Sequence, residues 1–87
     1  MPRQNRLSDL PDGTTAIIAR LPGGLPNLVR LREMGVLPGT KVLVVRRAPL
    51  GDPMELNIRG ALISIRRTEA ELIEVEMPSR SVATGTI

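Results

Sequence analysis

Carboxylates and guanidinium groups are the side chains through which this 87-residue sequence can do chemistry: it holds 9 Asp and Glu against 12 Arg and Lys, with no His and no Cys. Without imidazole or thiolate there is no zinc site of the usual kind, no disulfide or redox motif, and no Cys/His nucleophile. Oxygen is what remains for a metal. Asp52 with Glu55, and Glu74 with Glu76 on one strand face, are spaced for a weak, adventitious divalent site, a donor set that favours Mg²⁺, Ca²⁺ or Mn²⁺. Leu21-Pro22-Gly23-Gly24 offers free backbone N–H groups to an anion but lacks the Gly-Lys-Ser/Thr ending of a phosphate loop. Ser and Thr are present with nothing to activate them. The sequence therefore predicts no enzyme and no cofactor.

The cations are better placed to act. Arg46-Arg47 and Arg66-Arg67 fall at the ends of predicted strands, where neighbouring side chains splay to opposite faces, so one of each pair can join Arg59 in a positive patch for an acidic partner or phospholipid headgroups. The alternative is solvated strand ends paired with Glu55, Glu74 or Glu76, worth about 0–1 kcal/mol each. Net charge is +3, and the basic excess lies in the first half of the chain. Between the two strands that Arg47 ends and Met54 begins lies Ala48 to Pro53. Pro49 and Pro53 restrict this loop, and Leu50 has no evident inward partner. Pro49, Leu50, Gly51, Asp52 and Pro53 are thus the candidate partner-binding loop, with Arg46, Arg47 and Arg59 beside it. A rigid turn that only fixes register explains the same Pro, Gly and Asp residues.

These residues must be positioned by a small aliphatic domain. Hydrophobic residues make up 41% of the chain, none of them Phe, Tyr or Trp. A second core does not fit in this length. Alternating patterns predict strands over 15–20, 41–47, 54–59, 61–66 and 73–77. Asn27 is a plausible N-cap for a helix through Met34, with Leu28 and Leu31 on one face; Gly35 and Val36 suit a Schellman ending. Leu37-Pro38-Gly39-Thr40 fits a type II turn, Gly60 marks another tight turn, and Thr68 is placed to cap a single helical turn to Glu71. About five antiparallel strands need closure to remove their edges, so the fold class is mainly β, a small SH3-like barrel with one short inserted α-helix. Residues 1–6 form a polar arm, 7–77 the domain, and 78–87 a tail expected to be disordered. No aliphatic run approaches the about 20 residues that cross a bilayer, and no apolar stretch of signal-peptide length follows the charged start. A cytoplasmic setting is expected.

Four segments carry a resemblance. Val44-Val-Arg-Arg-Ala-Pro-Leu-Gly-Asp-Pro-Met-Glu-Leu-Asn-Ile-Arg-Gly60 resembles the signature stretch of the FeoA family, the small ferrous iron transport protein A. Arg30-Leu31-Arg32-Glu33-Met34-Gly35-Val36-Leu37-Pro38-Gly39 is similar to its Arg-Leu-x-x-Met-Gly-hydrophobic-x-Pro-Gly segment. Leu7-x-x-Leu10-x-x-Gly13 and Arg66-Arg67-x-Glu69-Ala70-x-x-Ile73-x-Val75 match in the same order. The resemblance implies an SH3-like domain, related to the C-terminal domain of diphtheria-toxin-repressor-type metalloregulators. It also implies a non-enzymatic cytoplasmic role in ferrous iron uptake, peripheral to the membrane: binding and tuning an FeoB-type membrane transporter through that protein's cytoplasmic GTPase-bearing part. Independently of the resemblance, a small barrel whose edge strands can pair is expected as a monomer or weak dimer. Ferrous sites usually enlist imidazole or thiolate, so the resemblance leaves Fe(II) or another divalent metal open but without His or Cys ligands to support it.

Two other classes compete. A nucleic-acid-binding barrel would use the arginines, but the aromatic platforms on which single strands stack are missing, and the net charge is modest. A stand-alone metal-sensing domain is the other alternative. Neither nucleic acid nor a proline-rich peptide is the expected ligand, since the latter docks on aromatic rings as well.

Overall fold

A computed structural model describes residues 5–77. Its one sheet has six antiparallel strands: β1 (Asn5–Arg6), β2 (Thr15–Arg20), β3 (Lys41–Arg47), β4 (Met54–Ile58), β5 (Ala61–Ile65) and β6 (Glu74–Glu76), in the order β1-β6-β2-β3-β4-β5. A 3₁₀ turn (Leu7–Asp9), helix α1 (Pro26–Glu33) and a four-residue helix α2 (Arg67–Ala70) fill the connections. The mainly β, SH3-like class expected from the sequence holds. The sheet has one strand more than the five anticipated, because Asn5 and Arg6 pair with Val75 and Glu74 instead of belonging to the polar arm. It is also not closed: β1 and β5 end the order without pairing to each other among the described residues. The expected tail, 78–87, lies outside the described residues.

Period-two patterning decides which face is dry. Ala16 and Ile18 of β2, Val42 and Val44 of β3, Met54, Leu56 and Ile58 of β4, Ile63 and Ile65 of β5, and Val75 of β6 are all buried. Leu28 and Leu31 of α1 and Leu7, Leu10, Leu21, Val36, Ala70 and Ile73 from the connections complete the same aliphatic cluster. Fully burying one Leu or Ile contributes about 1.5–3 kcal/mol, so side chains packed this tightly leave no need for aromatic rings. Ala61, expected inward, is exposed beside the turn that precedes it.

Backbone chemistry explains the ends of the elements. Val36 N–H donates to the Leu31 carbonyl and Gly35 N–H to that of Arg32, both at 3.0 Å, with Gly35 at φ +107°: the Schellman ending the sequence predicts. Thr40 N–H closes the turn onto the Leu37 carbonyl at 3.0 Å. Two expected caps are replaced. α1 begins two residues earlier, with Leu25 at the N-cap and Pro26 at the first helical position, since proline's fixed φ and missing N–H suit that site. Asn27 is therefore inside the helix, and its side-chain amide donates to Glu69 Oε2 at 3.2 Å. At α2 the N-cap is Arg66, not Thr68; Glu69 reaches back to accept from the Arg66 N–H at 2.9 Å.

Candidate functional site

The β3–β4 hairpin carries most of the candidate residues, and a bulge controls where they point. Val44 pairs with Leu56 but Arg46 pairs with Glu55, so Val45 is an extra residue on β3. Simple alternation from Val42 and Val44 would have turned Arg46 inward. The bulge reverses the phase: Arg46 lies opposite Glu55 on the outer face, and Arg47 comes beside buried Met54. Arg46 Nε then donates to Glu55 Oε1 at 2.9 Å in an ion pair open to solvent. Arg47 instead donates to Asp12 Oδ1 at 3.0 Å and to the Ser8 carbonyl at 2.8 Å, which makes it a tie within the fold.

The loop between the strands is held at both ends. Ala48 N–H donates to the Pro53 carbonyl at 3.0 Å, and Gly51 N–H to the Ala48 carbonyl at 2.7 Å. The inner closure is a β-turn with Pro49 and Leu50 at its corners, and Gly51, at φ +91°, reverses the chain after it. Asp52 Oδ1 accepts from the Arg67 N–H at 2.9 Å and fastens the loop to the start of α2; the Asp52–Pro53 peptide is cis. Leu50 is left 95% exposed at the tip, far more than any other large hydrophobic residue described. The loop is thus an ordered platform for one bare aliphatic side chain. Hollows of about 450 Å³, against Arg46, Arg47, Pro49, Pro53 and Glu55, and about 310 Å³, against Asp52, Pro53, Ser64, Arg66 and Glu69, flank it.

Not every candidate joins this platform. Arg59 lies in the turn at the far end of β4, five residues and about 17 Å of strand from Met54, so it does not share a patch with Arg46 and Arg47. Arg66 lines the smaller hollow, and Arg67 faces Glu71 at 3.6 Å. The four carboxylates considered for a metal do not converge. Asp52 is engaged with the Arg67 N–H and Glu55 with Arg46, while Glu74 and Glu76 stand along β6 opposite Arg20 and Ile17 of β2. Among the described residues no three acidic side chains come together as a metal-holding group.

One cluster escaped the sequence reading. Glu69, with its side chain 6% exposed, holds Asn27 and the Arg66 N–H and faces Arg30 Nη2 at 3.6 Å, joining α1 to α2. Its spacing of three from Arg66 was the available signal.

A sequence model of the FeoA domain matches residues 5–77, from the first strand to just beyond the last. The chain belongs to the FeoA domain family. It is 39% identical over 80 residues, 92% of its own length, to the Fe(2+) transport protein A/Fe(2+) transporter FeoB fusion protein of Porphyromonas gingivalis strain ATCC BAA-308 / W83. It spans 10% of that protein's length. The solution structure of the FeoA protein of Chlorobium tepidum superposes with a TM-score of 0.80 at 39% identity, covering 86% of this chain and 71% of that one. A manganese-dependent transcriptional repressor superposes with a TM-score of 0.77 at 22% identity, over 90% of this chain and 44% of the repressor, a likeness of fold. The FeoA family is linked to Fe(2+) transport, and no described helix is long and apolar enough to cross a membrane.

Proposed function

We propose that this FeoA domain is a non-enzymatic, cytoplasmic accessory of ferrous iron uptake that binds an FeoB-type membrane transporter bearing a GTPase domain and tunes it. The observation that carries this reading is the fusion relative: a chain 39% identical to this one over nearly its whole length is joined there to the transporter in one polypeptide. Two units joined covalently meet at high effective concentration, so the contact between them needs only modest affinity.

The loop at 48–53 is suited to supply it. Leu50 is already exposed at full side-chain length on a backbone fixed by Ala48, Gly51 and Asp52, so docking loses little conformational entropy and gains about 1.5–3 kcal/mol of apolar burial. No resident metal or cofactor enters this reading, and Fe(II) is the transporter's cargo.

Affinity capture of the detergent-solubilised transporter on the wild-type chain and on Leu50→Glu tests it. Recovery by wild type and loss with the variant, at equal thermal stability, is the expected result. Failure of the wild type to retain the transporter overturns the reading; equal recovery by both chains removes the loop from it.

A further inference from the structure

The outer face of the sheet has a second feature at the end of the β3–β4 hairpin opposite Leu50. Leu43 pairs with Asn57, and two residues further on each strand come Lys41 and Arg59 on the same face. Both line an open groove of about 650 Å³ together with Leu37, Thr40, Leu43 and Asn57, and no acidic residue is among those lining it. Neither cation forms an ion pair among the described residues. Like charges on neighbouring strands repel, so the pair weakens the free protein. Glu76, the acid in register with Lys41 across Ile17, is two strands and about 10 Å away.

Arg59 adds an independent cost. With Gly60 it forms the two-residue turn from β4 to β5, both residues at positive φ, +54° and +85°. Such turns favour Asn-Gly or Asp-Gly, since a longer side chain in the left-handed region is strained. An arginine held in a strained conformation, beside a second cation and with no ion-pair partner among the described residues, points to a use outside the fold.

We propose that this groove receives an extended acidic segment of the partner protein, its carboxylates on Lys41 and Arg59 and an aliphatic side chain against Leu37 and Leu43. The proposal rests on the transporter reading above. Leu37 and Leu43 are 38% and 36% exposed, and Leu62, next to Asn57 on the edge strand, is 62% exposed, so apolar contact continues past the cations. A bare inorganic anion would leave that surface unused. Residues 1–4 and 78–87 contain Arg3 and Arg80 and no acidic side chain, so these two segments do not complement the groove. Lys41 and Arg47 lie about 20 Å apart along β3, so groove and loop can engage one partner at two points and reinforce each other.

The test measures binding of the whole chain to the purified transporter by surface-immobilised kinetics, for wild type, Lys41→Glu/Arg59→Glu and Lys41→Arg/Arg59→Lys, at low and high salt. A photo-crosslinker placed at residue 43 reports, by mass spectrometry, which segment lies in the groove. Expected are an affinity loss of about tenfold or more for the charge reversal, near wild-type affinity for the charge-preserving pair, weakening by salt, and a crosslink to an acidic stretch. If wild type binds and the charge reversal binds equally well, or the crosslink falls in a stretch without acids, this inference is wrong while the transporter reading stands. If wild type does not bind, both fall. Thermal melts of the reversed variant show whether it is folded; if it is not, the crosslink alone decides.

Discussion

Arg47 ties together two segments 35 and 39 residues upstream of it, one nitrogen on the carboxylate of Asp12 and the other on the carbonyl of Ser8. Its side chain is 22% exposed, whereas that of its neighbour Arg46 is 70% exposed on the other face. The two adjacent arginines therefore have different work: one fastens the turns before β2 to the end of β3, and the other solvates the sheet.

Arg47→Ala should lower stability by about 1–2 kcal/mol, a figure kept modest because Asp12 is half exposed, and Arg46→Ala by no more than about 0.5 kcal/mol. For a domain of this size the first corresponds to a fall in Tm of roughly 5–10 °C, read by far-ultraviolet circular dichroism. Equal shifts for the two variants would contradict the division of labour.

Glu69 is the second internal tie. Glu69→Ala leaves the Asn27 amide and the Arg66 N–H without their acceptor, and should cost about 2–3 kcal/mol in urea denaturation. Glu69→Gln keeps an oxygen for one of them and should cost about half as much. Equal losses would mean that the charge facing Arg30 matters more than the hydrogen bonds.

Arg59→Asn should change stability and association in opposite directions. Asparagine tolerates the left-handed region, so the variant should gain about 0.5–1 kcal/mol while losing affinity for the transporter. A variant that melts no higher than wild type would show that the turn holds arginine without strain.

Strand positions were readable because one face of each strand is dry: Met54, Leu56 and Ile58 alternate with half-buried Glu55 and Asn57 as the sequence implies. The Schellman ending and the turn at Leu37 to Thr40 were equally legible, since Gly35 and Gly39 sit where positive φ is needed. Other features depend on tertiary context. Asn5 and Arg6 have no strand-like pattern and pair only because β6 lies beside them. Asn27 has the chemistry of a cap, but Pro26 fixes the helix start and Glu69 takes its amide. Of the site, the loop was visible through its prolines and the bare Leu50. The separation of Arg59 from Arg46 and Arg47 was not, because it follows from the length of β4. The bulge at Val45 left one trace in the sequence, two consecutive arginines where alternation calls for an inward aliphatic.

A core made only of Leu, Ile, Val, Ala and Met, in a chain without Trp, Tyr or Phe, makes the protein nearly transparent in the near ultraviolet. Its own folding leaves no fluorescence signature. In a mixture with a protein that does contain tryptophan, every change in indole emission belongs to the other molecule, and the complex can be watched without a dye or tag. Its methyl groups, buried or exposed, meanwhile resonate free of ring-current shifts from within the chain, so any such shift at Leu37, Leu43 or Leu50 would be the footprint of an aromatic side chain arriving from outside.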